Sequence, residues 1–232
     1  GIYCSPAVEN DKVFVGDDLG CLTAYALKNG KKLWSFASGK RIVGTPAVGQ
    51  GIVVFGSADR NIYGLNVADG SLRWKVEASE PVLGAVTIHE GIAYVGASDK
   101  TFRAIDIQSG KAVWNYDQVK GYIETKPLIA DNKVIFSAWD NTLYALDKHT
   151  GKEIWKWTGG LTRMHFSPAA VWPVASNGKV FIADPQRAMT AIDLQNGETV
   201  WRTFRSQVRE TIGLSEDGER VYSIFRICYL RS

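Results

Sequence analysis

The chain has 232 residues, 45% of them hydrophobic, enough to bury a substantial core. Lys and Arg number 27 against 24 Asp and Glu, a net charge of +3, and the cations are scattered one or two at a time. A nucleic-acid interface concentrates its cations on one face, so none is expected, and no apolar run reaches the roughly eighteen residues of a transmembrane helix.

In chain order, Gly1-Ile2-Tyr3-Cys4-Ser5-Pro6 already reads as repeat material and not as a signal peptide, so the sequence is expected to be a mature or trimmed form. Cys4, Cys21 and Cys228 have no metal-like spacing and are expected to be free thiols packing as small hydrophobes. Trp34, Trp74, Trp114, Trp155 and Trp201 then recur at intervals of 40, 40, 41 and 46 residues. Four positions before each stands Gly30, Gly70, Gly110, Gly151 or Gly197, and ten before stands Ala24, Gly64, Ala104, Ala145 or Ala191. Eight before stand Ala26, Asn66, Asp106, Asp147 and Asp193. A period of about forty residues marks a solenoid or a propeller.

The fourth copy decides between them. Lys126-Pro127-Leu128-Ile129 reads as a short inner strand, Val134-Ile135-Phe136 as a second, and Asp140-Asn141 as a turn. Leu143-Tyr144-Ala145-Leu146 follows as a third strand, then a turn ending at Gly151, then the alternating Glu153-Ile154-Trp155-Lys156-Trp157. No copy holds a helical period, so helical-repeat arrays are excluded. The prediction is an all-β fold, a β-propeller of four-stranded antiparallel blades, with five full repeats and a partial sixth, and a larger ring if residues are missing. The repeats fall at about 5–44, 45–84, 85–124, 125–165 and 172–212, with the partial copy at 213–232, all in one domain over 1–232. Each Trp is expected to pack between blades, the small residue ten before it to admit the indole near backbone, and Asp106, Asp147 and Asp193 to accept amide bonds in the following turn.

Two places break the period. Trp155 to Pro173 is 18 residues, against 12 from Trp34 to Pro46 and 13 from Trp114 to Pro127. Surplus loops are where binding is grafted, so Arg163, His165, Phe166 and Trp172 are candidate contacts for a partner or ligand. Lys126, Arg41 and Arg209 join them because they fall near blade starts, at one mouth of the ring, where a small anion would also fit. The second break is at 213–232, where strand-like runs follow without a Gly and Trp pair.

The segments Leu143 to Trp155, Ala104 to Trp114 and Ala191 to Trp201 resemble the repeat of the PQQ-like, or quinoprotein alcohol dehydrogenase-like, β-propellers, and the resemblance covers nearly the whole chain. The dehydrogenases of that family hold pyrroloquinoline quinone and usually Ca²⁺ under a pair of adjacent cysteines. This sequence has no adjacent cysteines, is short for eight blades, and offers no Glu, Asn and Asp set at matching positions. The resemblance therefore implies the non-catalytic branch, similar to the outer-membrane protein assembly lipoprotein: a scaffold binding another protein or domain on the periplasmic or extracellular side of a bacterial envelope. A ligand-sensing or accessory propeller of a larger enzyme or receptor is the alternative, and a quinone-dependent dehydrogenase a distant third. Neither a phosphate loop, a nucleophile elbow nor a paired-histidine metal motif is present, so no catalytic, metal or cofactor residue is assigned, no cofactor is expected, and an enzyme is not.

Overall fold

The computed structural model describes residues 1–159, 172–183, 188–204 and 208–225, and every element among them is a strand. The chain divides into two compact units, Gly1–Pro127 and Leu128–Ser232. The first unit holds three four-stranded antiparallel sheets. They are β1 Ala7–Glu9, β2 Lys12–Gly16, β3 Cys21–Ala26 and β4 Lys32–Ala37; then β5 Ala47–Gly49, β6 Ile52–Ser57, β7 Asn61–Asn66 and β8 Leu72–Glu77; then β9 Thr87–His89, β10 Ile92–Gly96, β11 Phe102–Asp106 and β12 Ala112–Tyr116. The second unit holds β13 Leu128–Ala130, β14 Lys133–Ala138, β15 Thr142–Asp147 and β16 Glu153–Thr158, followed by β17 Val174–Ser176, β18 Lys179–Ala183, β19 Met189–Asp193 and β20 Thr199–Thr203. A two-stranded sheet of β21 Val208–Leu214 and β22 Val221–Phe225 comes last. In each four-stranded sheet the strands pair in sequence order, as propeller blades do.

Within each unit the three-residue first strands lie beside one another, β1 by β5, β5 by β9, and β13 by β17. The sheets stack face to face, and alternation along each strand divides the core into layers. Phe14, Leu22 and Ala24 of the first sheet meet Val53, Phe55, Tyr63, Leu65 and Val67 of the second. The other face of the second sheet, with Ile52, Val54, Ile62 and Trp74, meets Ala93, Val95, Ile105 and Ile107 of the third. In the second unit Ile135, Leu143, Ala145, Trp155 and Trp157 meet Val180, Ile182, Ile192 and Leu194.

The tryptophan lies at the same place in each outer strand. Trp34, Trp74, Trp114, Trp155 and Trp201 stand in register with Ala24, Gly64, Ala104, Ala145 and Ala191, and a β-bulge follows that small residue every time. A Cβ on Gly64 would stand 2.1 Å from the Trp74 ring, so the short side chain is what admits the indole. Gly70, Gly110 and Gly197 adopt positive φ of 74°, 71° and 77° and are covered by Trp34, Trp74 and Trp155 of the preceding sheet. Trp74 and Trp155 are 8% and 7% exposed, Trp34 and Trp114 half-buried, and Trp201 40% exposed. Asp106, Asp147 and Asp193 accept amide bonds from Ser109, from His149 and Thr150, and from Gln195 and Asn196, at 2.8–3.1 Å. Cys4 and Cys21 are free thiols.

Candidate protein-binding face

Each sheet presents two kinds of edge. The turns between its first and second strands and between its third and fourth lie at one end, and the turn between its second and third strands lies at the other, beside the link to the next sheet. This second end, in the first unit, carries the candidate site.

The second-to-third turns are tight. The amides of Gly20, Arg60 and Lys100 bond back to the carbonyls of Asp17, Ser57 and Ala97 at 3.2 Å. The closing residue takes positive φ, 88° at Gly20, 73° at Arg60 and 63° at Lys100. Glycine is the ordinary choice there; Arg60 and Lys100 stand there instead, exposed. Aspartate holds the turn. Asp59 accepts from the Asn61 amide at 3.0 Å, the Tyr63 hydroxyl at 2.6 Å and, across to the preceding link, the Gly39 amide at 2.7 Å. Asp99 accepts from the Thr101 and Ser79 amides at 3.1 and 3.3 Å and is paired with Arg103. Burial is the largest influence on both carboxyls and works to raise them, yet the hydrogen bonds, and for Asp99 the Arg103 charge, outweigh it and hold both below the usual carboxylate range.

The links are pinned as firmly. Ile42, Val82 and Ile123 are fully buried, and their amides bond to Asp17, Ser57 and Ala97 carbonyls at 2.8, 3.1 and 3.2 Å. Each presses on a glycine at the end of a second strand. A Cβ on Gly16, Gly56 or Gly96 would stand 2.4, 2.4 or 2.1 Å from the Ile42, Val82 or Ile123 side chain. The carbonyls of Arg41 and Pro81 in turn accept the Ala58 and Ser98 amides at 3.0 and 2.9 Å. This column of glycines, spaced by forty, is visible in the sequence but was not among the columns singled out above.

Rigid turns and pinned links leave two adjoining clefts with Pro81 as their shared wall. One, of about 570 Å³, is lined by Asp18, Leu19, Gly39, Lys40, Arg41 and Ala58. The other, of about 680 Å³, is lined by Ser79, Glu80, Leu83, Ser98, Asp99, Lys100, Tyr122 and Glu124. Leu19 is 82% exposed and Tyr122 53%. Two cations against one acid line the first cleft; three acids, one already paired with Arg103, face one lysine in the second.

Of the residues expected from sequence to make contacts, Arg41 lines the first cleft. Lys126 is half-buried beside Pro127 and lines neither cleft. Trp172, in the other unit, is half-buried. Arg163, His165 and Phe166 lie outside the described residues, as does the side chain of Arg209, whose backbone runs in β21. Among the described residues no group of three His, Cys, Asp or Glu side chains converges as a metal site.

A family model described as the outer membrane protein assembly factor BamB matches residues 18–124 and again 118–224. The chain belongs to this family. The outer membrane protein assembly factor BamB of Xanthomonas campestris pv. campestris is 33% identical over 81 residues, covering 31% of this chain and 20% of that protein. The crystal structure of BamB from Moraxella catarrhalis aligns with a TM-score of 0.74 at 23% identity, over 91% of this chain and 64% of that one. A computationally designed protein, Ika8, aligns with a TM-score of 0.80 at 18% identity, over 97% of this chain and 71% of the design. At such identities the two structures share the fold. This BamB-family chain matches a fifth of the curated relative and less than two thirds of the Moraxella protein.

Proposed function

We propose that the chain is a non-catalytic scaffold of the bacterial cell envelope, on its periplasmic side, that holds another protein against the face carrying the two clefts. The observation that carries this reading is family membership over residues 18–224, since the family is described as an outer membrane protein assembly factor. The face itself supports it. Its backbone is held by turns and links on both sides, so binding costs little ordering entropy. Leu19 and Tyr122 offer apolar anchors, and the split charge orients a partner whose acidic portion lies by Lys40 and Arg41 and whose basic portion lies by Glu80 and Glu124.

The test is capture from envelope extract with the chain immobilised, identification of the retained protein, and titration of that protein against variants. Leu19→Asp with Tyr122→Ser, and separately Arg41→Glu, are expected to weaken binding about tenfold or more while circular dichroism is unchanged. Binding lost only when 163–168 is removed would move the contact to that loop, and no retained protein would sink the scaffold reading. Because the sequence lacks adjacent cysteines, pyrroloquinoline quinone with Ca²⁺ is expected to leave the melting temperature unmoved; a rise would reopen the dehydrogenase alternative.

A further inference from the structure

The two clefts are one site built twice. Each lies between a link, the second-to-third turn of the following sheet, and the next link. The buried plugs Ile42, Val82 and Ile123 set the correspondence, since each closes over the glycine that ends a second strand. Counting back from them, Lys40 and Arg41 occupy the places of Glu80 and Pro81 one repeat later, and Pro81 occupies the place of Tyr122. The backbone follows the same match: the Ala58 amide bonds to the Arg41 carbonyl at 3.0 Å, as the Ser98 amide bonds to that of Pro81 at 2.9 Å. All of these residues lie within the unit Gly1–Pro127.

The shape is repeated but the charge is reversed. The first cleft carries Lys40 and Arg41, which outnumber Asp18; the second carries Glu80 and Glu124 against Lys100, its Asp99 being paired with Arg103. Lys40, Arg41 and Glu80 are exposed, and their side chains make no hydrogen bond or ion pair with another described residue. A change of sign at one place in adjacent repeats suits a ligand that spans both and carries opposite charges, one for each cleft. Spacing then selects its conformation. Packed sheets lie about 10 Å apart. A β-strand returns to the same face every second residue, at about 7 Å and then about 13 Å, whereas a polyproline II helix returns every third residue, at about 9 Å. The helix matches one sheet spacing and the strand does not. The surface between the charges suits it as well. Pro81 is the shared wall, and the Tyr122 ring, 53% exposed, lies in the second cleft; aromatic-lined grooves are where polyproline II segments dock.

We propose that the two clefts together hold a polyproline II segment of the partner protein, with an acidic side chain beside Lys40 and Arg41 and, three residues away, a basic one beside Glu80 and Glu124. This rests on the scaffold reading and adds to it the chemistry of the segment that is held. Such a helix has no internal hydrogen bonds to break and is extended before it binds, so little ordering entropy opposes docking on a face whose turns and links are already fixed.

The test uses capped synthetic peptides flanked by prolines. Asp-Pro-Pro-Arg and Arg-Pro-Pro-Asp, with Asp-Pro-Pro-Asp and Arg-Pro-Pro-Arg as controls, are titrated into the isotope-labelled 232-residue chain while the amide resonances of Lys40, Ala58, Glu80 and Ser98 are followed. One of the two mixed-charge peptides is expected to bind about tenfold more tightly than either control and to shift amides at both clefts. Shortening it to a single proline between the charges is expected to remove that advantage. Charge reversal is the decisive arm. Lys40→Glu with Arg41→Glu is expected to make Arg-Pro-Pro-Arg the preferred peptide, and Glu80→Lys to make Asp-Pro-Pro-Asp preferred, with circular dichroism unchanged in both. Equal binding of all four peptides, shifts confined to one cleft, or preferences that ignore the reversals would each overturn the proposal. Any of these together with a protein retained from envelope extract would leave the scaffold reading standing. Peptides that follow the charge when no protein is retained would strike the scaffold reading and not the site.

Discussion

Asp99 joins a turn, a link and a strand through one carboxylate. It accepts the Thr101 amide of its own turn and the Ser79 amide of the preceding link, and it pairs with Arg103 two residues into β11. Its side chain is 4% exposed and that of Arg103 11%, so solvent screens the pair little. The Asp99 carboxyl is held below its ordinary value against the opposing pull of burial. A carboxyl lowered on folding stabilises the native state above its unfolded pKa, about 4, and that stability is lost as pH falls through the lower folded value. Asp99→Asn is therefore expected to cost about 2 kcal/mol at neutral pH, and progressively less below about pH 4 as the unaltered protein takes up its own proton. Urea unfolding of both proteins at neutral and acid pH measures this, and an equal difference at both would show that the charge plays no part. Asp59 shifts in the same direction, with a tyrosine in place of the arginine: burial, and after it the Asp59 carboxylate, raises the Tyr63 phenol, so it remains a donor throughout the ordinary pH range.

At the scale of the strand, the outer β8 is held by what faces Trp74. The indole lies over Gly64 on its own sheet, bonds to the Ile107 carbonyl on the next, and covers Gly110. Trp74→Ala removes all three contacts and is expected to cost about 3–5 kcal/mol. Gly64→Ala is expected to cost about 1–3 kcal/mol by crowding the ring, and distinctly less when Trp74 is already alanine, because the clash has then gone. Additive costs in that double-mutant cycle would mean that Gly64 is needed for backbone freedom and not for the indole. Alanine stands at this position in the other four sheets. The pairing of small residue and Trp ten apart is thus legible in the sequence; how close an individual indole lies to its partner strand is not, because that depends on the neighbouring sheet.

At the scale of the molecule, each unit is a stack in which a sheet is stabilised chiefly by its neighbours. The second sheet has neighbours on both faces, and every residue of β6 is buried. Amide hydrogen exchange in the first unit is expected to be slowest at Val53–Phe55, and faster in the outer strand β8 of the same sheet, most of whose residues are exposed. Uniform protection across each unit would indicate that it opens as one block.

Local chemistry repeated at a fixed period was written in the sequence: strand number and order, the turn glycines, the turn aspartates, and the absence of adjacent cysteines. These depend on contacts within about forty residues, and one copy explains the rest. The tertiary structure decided what each repeat meets. Trp74 and Trp201 occupy the same position in the period yet are 8% and 40% exposed, because the covering turn belongs to another sheet. Pro81 becomes a wall between two clefts, and Arg41 lines one while Lys126 lines neither, because links from different repeats are drawn together by Ile42, Val82 and Ile123 closing over Gly16, Gly56 and Gly96. Exposure and convergence are properties of neighbours, and no single repeat encodes its neighbours.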